Sequence, residues 1–177
     1  MNSSFTLQSP LRIMLIDPVH TFIKGRDNWM IPLNVLSIAA YTNKLLGGRV
    51  DIRCFKFPDQ LLAAMENEPP HILGTSNYIW NHELSLALLH RGKELSPDML
   101  TVMGGPNISE TEDAMTELLA ESACDIHVHG PGEHPFAMIA NSVLMGAVGV
   151  QEICRQDEVH SIWHLDPDSG RAVVKPT

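Results

Sequence analysis

Basic runs are missing from this 177-residue chain. It has 12 Lys and Arg against 21 Asp and Glu, a formal charge of -9, and no stretch gathers the positive side chains that would neutralise a phosphate backbone. That excludes nucleic acid as a direct partner. Long apolar runs are missing too. The hydrophobic segments are short and interrupted, well under the ~20 residues that cross a bilayer, and residues 1–10 are polar with no basic leader pattern. The expectation is a cytoplasmic protein with no membrane contact. Cysteine is scarce: Cys54, Cys124 and Cys154 are odd in number, far apart and never arranged as CxxC. They read as reduced packing thiols, excluding a disulfide framework and a cysteine-bound metal. No Gly-Lys-Ser/Thr phosphate loop occurs, and no GxGxxG fills the first strand-to-helix turn, which demotes ordinary nucleotide binding.

What is present is enough apolar residue, 44%, to bury the core of one domain of ordinary size but not comfortably two. Residues 12–17 are a short apolar run ending at an acid and a proline, as a buried parallel strand does. Residues 34–46 place Val35, Ile38, Ala39, Thr42, Leu45 and Leu46 at helical spacing, with Gly47-Gly48 as the stop. The alternation continues with strands at 50–57, 71–76, 99–103 and 125–129, and helices at 59–67 (capped by Asp59), 81–95, 110–120 and 133–144. Five strands alternating with five helices predict an α/β, doubly wound, parallel sheet. Beyond residue 146 the pattern fades into a small hairpin, with residues 159–164 and 171–174 flanking a turn-rich tip. The division is therefore 1–146 as the main domain and 147–177 as a hairpin or linker extension.

In doubly wound folds ligands lie beyond the carboxyl ends of the strands, so the loops there hold the candidates. After the fourth strand come Gly104, Gly105, Pro106 and Asn107, where glycines let a ligand lie against the backbone and Ser109 can cap the next helix; a plain tight turn would use the same glycines. After the fifth come Gly130, Pro131, Gly132 and Glu133, opening a helix whose first amides attract acceptor groups. The loop after the third strand, Ser76-Asn77-Tyr78-Ile79-Trp80-Asn81, concentrates two aromatics of a chain that is only 6% aromatic beside hydroxyl and amide groups; packing of Tyr78 and Trp80 over the following helix is the structural alternative. The nine histidines form no metal-ligand spacing. His127 and His129 alternate on one strand, His71, His90, His160 and His164 stand alone, and these read as surface or satisfied side chains. His20 and His82 lie in or near the ligand-side loops. Asp17 and His20 suggest an acid/base pair, but no nucleophile, base and orienter accompany them, so the chain is not catalytic alone.

Asp17-Pro18, then residues 31–41 (Ile-Pro-Leu-Asn-Val-Leu-Ser-Ile-Ala-Ala-Tyr), then Ser76-Asn77-Tyr78-Ile79-Trp80-Asn81, Gly104-Gly105-Pro106 and Gly130-Pro131-Gly132-Glu133-His134-Pro135-Phe136 stand in an order that resembles the cobalamin-binding domain of cobalamin-dependent radical S-adenosylmethionine (SAM) enzymes. The resemblance spans roughly residues 11–145. It implies a Rossmann-like, flavodoxin-like five-stranded parallel sheet, with the corrin on the carboxyl edge and the nucleotide tail threaded beside the sheet. It places Ser76 against the buried dimethylbenzimidazole, Gly104 and Gly105 where backbone clears the tail, and Gly132 and Glu133 beside the nucleotide and corrin amides. The wider group carries Asp-x-His-x-x-Gly, whose His is the lower cobalt ligand. Here His20 falls one residue late in Asp17-Pro18-Val19-His20, so it is a weak candidate. The expectation is base-off cobalamin with Tyr78 or Trp80 over the lower face. The Cys-x-x-x-Cys-x-x-Cys motif that holds an iron-sulfur cluster is absent, so the resemblance implies a binding module serving a radical SAM catalytic domain or subunit, with methyl transfer as the expected chemistry. A stand-alone cobalamin sensor or carrier is the alternative, and a flavodoxin-like nucleotide-using enzyme a third reading.

Overall fold

Strand after strand in this chain is apolar on both sides, and the fold buries both. A computed structural model describes residues 9–19, 31–107 and 111–176. Its elements, in chain order, are β1 (Leu11–Ile16), α1 (Leu33–Leu46), a 3-10 turn (Gly47–Arg49), β2 (Val50–Phe55), α2 (Pro58–Asn67), β3 (Ile72–Ser76), α3 (His82–Leu95), β4 (Leu100–Gly104), α4 (Glu112–Glu121), β5 (Ile126–Val128), α5 (Glu133–Leu144), α6 (Val150–Cys154), β6 (Ile162–Leu165) and β7 (Ala172–Lys175). The sheet order is β2-β1-β3-β4-β5-β6-β7. The first five strands pair in parallel, as expected for a flavodoxin-like sheet. The expected hairpin is also present, and it extends the same sheet: β6 pairs antiparallel with β5, and β7 antiparallel with β6.

Alternation along the strands divides the interior in two. Ile13, Leu15, Ile72, Val102, Ile126 and Val128 join Val35, Ala39, Phe136 and Ile139 beneath α1 and α5. Met14, Ile16, Leu73 and Met103 join Leu61, Met65, Leu88, Leu89 and Met115 beneath α2, α3 and α4. Full burial of each of these Val, Leu, Ile, Phe and Met side chains contributes about 1.5–3 kcal/mol. Gly47 ends α1 at φ 59, as its sequence position suggested.

Several local expectations are corrected. Phe57, not Asp59, is the N-cap of α2, because Pro58 occupies the first turn and Asp59 lies inside it. Thr111 caps α4, its side chain accepting from the Ala114 amide at 3.4 Å; Ser109 lies outside the described residues. The short helix α6 was not foreseen, since five residues carry too little periodicity to register. His127 is neither at the surface nor satisfied. It is 0% exposed, both ring nitrogens lack a hydrogen-bond partner, and burial, with the nearby His129, lowers its pKa to about 4. Cys124 and Cys154 are buried, and that burial pushes each thiol up to about 12, so both are protonated packing groups at neutral pH.

The hairpin is pinned by chemistry of its own. The Asp166 carboxylate accepts from the Ser169 amide and hydroxyl to form the turn, and Arg171 forms ion pairs with Glu112 and Asp113 in the first turn of α4.

Candidate functional site

Between the sheet and the α1/α5 layer lies a cavity of about 410 Å³, opening at the carboxyl edge and within the usual span for a small-molecule site. Its floor follows from the register. Gly74 pairs with Val102, and one pleat period further along Ser76 pairs with Gly104. With glycine at two of these four places, Leu15 and Phe136 close over Gly74 while the face of Gly104 stays bare. A Cβ on Gly74 would lie 2.6 Å from Leu15 Cδ2 and 3.3 Å from Phe136 Cε2. A Cβ on Gly104 would meet only Val128, at 3.4 Å or more, so its open side faces the cavity it lines.

The sequence-derived candidates gather here in two groups. Ser76, Tyr78, Gly104, Gly105, Pro106, Gly130 and Gly132 all line the cavity. Asn77, Asn107, Trp80 and Glu133 stand around it and hold the lining. The Asn77 amide donates to the Gly104 carbonyl at 2.7 Å, and the Asn77 carbonyl accepts from the Asn107 amide at 3.3 Å. The Asn77 side-chain oxygen accepts from Asn107 Nδ2 at 3.3 Å and lies 2.9 Å from His82 Nδ1. This clasp corrects the reading of Gly105. Its φ is 138°, and a Cβ there would strike the Asn77 backbone, 2.9 Å from both its nitrogen and its carbonyl carbon. Gly105 is glycine because two loops meet, whatever lies in the cavity.

Ser76 is buried and already engaged. Its hydroxyl donates to Asp17 Oδ1 at 2.6 Å and accepts from Asn81 Nδ2 at 2.9 Å, while Asn81 Nδ2 also reaches Asp17 at 3.3 Å. The Asp17 carboxylate, leaving the end of β1, is thus partnered by the β3 loop. His20, the candidate three positions later in the sequence, lies outside the described residues. Tyr78 and Trp80 stack face to face, with ring centroids 4.6 Å apart and planes 4° from parallel. Tyr78 is the inner ring: it lines the cavity and its hydroxyl accepts from Asn34 Nδ2 at 3.3 Å. Trp80 is the outer ring, 58% exposed. Glu133, in the first turn of α5, accepts from the Ser37 hydroxyl at 2.7 Å, tying α5 to α1 across the mouth. Gly132 offers α5 no side-chain cap, so amides of that first turn are open to acceptor groups.

The sequence reasoning missed Gly74, Asn34, Ile38 and Phe136 as lining residues. Gly74 had a usable signal, since a glycine inside an apolar strand run marks a close approach. The other three lie in segments 31–41 and 130–136 that carry the resemblance, but which of those side chains reach the cavity is set by helix packing. The open face of Gly104, apolar walls and a polar, aromatic mouth together suit a long ligand with a flat apolar end. The cobalamin nucleotide tail has that form, and the residues present fit it.

The B12 binding domain family matches residues 23–140. No curated protein matches the chain. Among solved structures, the cobalamin-dependent S-adenosylmethionine radical enzyme OxsB superposes with TM-score 0.63 over 96% of this chain at 16% identity, and its aqua-cobalamin-bound form with TM-score 0.63 at 15% identity. This chain spans only 22% and 23% of the length of those chains. The methanol:cobalamin methyltransferase complex MtaBC from Methanosarcina barkeri follows with TM-score 0.52 and 12% identity, covering 84% of this chain and 51% of that one. At such identities the likeness establishes a shared fold.

Proposed function

This chain belongs to the B12-binding domain family, and from that premise we propose that it holds base-off cobalamin for a radical SAM catalytic domain or subunit, in a methyl-transfer system. The observation that carries the reading is the apolar cavity at the carboxyl edge, onto which the bare face of Gly104 opens beside Gly130 and Gly132.

Each residue then has a part. Gly104 admits the tail, while Val102 and the Leu15 and Phe136 side chains packed over Gly74 enclose its base and keep water out. Ser76, with its rotamer locked by Asp17 and Asn81, forms the polar boundary between the dry slot and the mouth. Tyr78, backed by Trp80 and held by Asn34, presents an aromatic surface to the lower face of the corrin. Gly132 and Glu133 face the nucleotide and the ring amides. Base-off binding is supported by Asp17, whose carboxylate is committed to Ser76 and Asn81. When bound, cobalamin supplies a cobalt centre for group transfer. The catalytic partner is supported by the shared fold with OxsB, a radical enzyme of whose chain this one spans 22%.

Equilibrium dialysis against hydroxocobalamin, with an absorption spectrum of the retained protein, tests the proposal. One cobalamin per chain with a base-off spectrum is expected. Folded protein that retains none would overturn it.

A further inference from the structure

Among the described residues, the inner end of the cavity presents no free polar group, and this bears on which corrinoids the chain accepts. Its walls there are Val102 and the Leu15 and Phe136 side chains that close over Gly74. Backbone groups of β1, β3 and β4 are spent in the parallel ladders. The polar side chains lining the cavity lie toward its mouth or are committed. Ser76 donates its proton to Asp17 and receives one from Asn81. Asn34 Nδ2 donates to the Tyr78 hydroxyl, and Asn34 Oδ1 accepts from the Val35 amide. Thr75 lines the cavity and its buried hydroxyl has no hydrogen-bond partner among the described residues, but Gly74 and Ser76 occupy the cavity face, so strand alternation turns that hydroxyl to the opposite one.

We infer that this slot discriminates among corrinoids by the polarity of the lower base, accepting a benzimidazole-type or other apolar base and rejecting adenine. The inference rests on the cobalamin-binding reading and deepens it. A dimethylbenzimidazole sheds its hydration at little cost and places two methyl groups against Leu15, Val102 and Phe136. Adenine has the same bicyclic outline but carries an exocyclic amine and ring nitrogens that water satisfies outside and nothing satisfies inside. A buried donor or acceptor left without a partner weakens binding roughly 5- to 150-fold. Outline alone does not separate the two bases, so the discrimination falls on the missing hydrogen bonds.

The test measures dissociation constants of the 177-residue chain for three corrinoids in the same cyano form: cobalamin, its adenine-based analogue, and cobinamide, which lacks the nucleotide. The expected result is cobalamin at least tenfold tighter than the adeninyl form, with cobinamide weaker than cobalamin. An adeninyl corrinoid that binds within about threefold of cobalamin overturns the inference while leaving cobalamin binding intact. Failure of all three to bind overturns the functional reading itself, so the two failures are distinct. Val102→Thr keeps the side-chain outline and adds one hydroxyl to the wall; it is expected to narrow the gap between the two complete corrinoids. A gap unchanged in a folded Val102→Thr chain would show that the wall at Val102 does not meet the base.

Discussion

His127 gives a quantitative test of the fold. The side chain is 0% exposed on β5, and its folded pKa is about 4 against about 6.5 for a histidine in water. Below pH 6.5 the unfolded chain takes up a proton at this residue that the folded chain refuses. The unfolded state therefore gains stability as pH falls, and the folded state loses it between about pH 6.5 and pH 4. At 1.36 kcal/mol per unit, the loss from this one residue is about 2 kcal/mol by pH 5 and about 3 kcal/mol by pH 4. His127→Leu removes the titration and leaves no ring nitrogens unpaired, so the variant is expected to be at least as stable as the parent at pH 7.5. Urea unfolding followed by far-UV circular dichroism at pH 7.5, 6.0 and 5.0 provides the measurement. Subtracting the variant's pH dependence isolates His127 from the carboxylates and the other histidines. Parallel pH profiles for the two proteins between pH 7.5 and 5.0 would refute the reasoning, since they would mean that His127 takes up its proton as readily folded as unfolded.

The cavity offers cleaner variants than its most conspicuous glycine. Gly104→Val is expected to weaken cobalamin binding at least tenfold, with an unchanged far-UV spectrum, in equilibrium dialysis, because its Cβ meets only Val128 and its methyls enter the slot. Gly105→Ala is expected to cost roughly 1–3 kcal/mol of stability in thermal or urea unfolding even without cofactor, because its φ and the Asn77 backbone both forbid a side chain. Ser76→Ala removes a donor from the half-buried Asp17 carboxylate and is expected to lower stability by about 1.5–3 kcal/mol, measured by urea unfolding of the apoprotein. In the reduced cobalt(II) form, electron paramagnetic resonance is expected to lack the nitrogen triplet of an axial base. His20→Ala is expected to leave that spectrum unchanged; a triplet that disappears in this variant would make His20 the lower ligand.

Much of the architecture was legible because it is written locally. Buried parallel strands need unbroken apolar runs, helices need a period of 3.6, and the alternation of the two left few topologies open. The carboxyl-end loops stood out for the same reason, as glycine and aromatic residues are conspicuous at strand ends. Within those loops the roles were less legible. Gly104 and Gly105 look alike in sequence, yet one faces the cavity and the other faces a neighbouring loop 28 residues earlier in the chain, at Asn77. Tyr78 and Trp80 were interchangeable until their stacking made one the inner ring and the other the outer.

By itself the sequence determined the order of the βα units, the edge of the sheet on which the site lies and most of the segments that line it, since each depends on residues close together in the chain. Tertiary structure alone decided that Gly74 lies beside Val102 and one step from Gly104, that Ser76 meets Asp17 across 59 positions, that Ser37 ties α1 to Glu133 across 96, and that the terminal hairpin joins the sheet. The physical reason is that strand register and helix packing are set by hydrogen-bond ladders and side-chain interlocking between distant segments. A residue's neighbours across a sheet therefore have no signature in its neighbours along the chain.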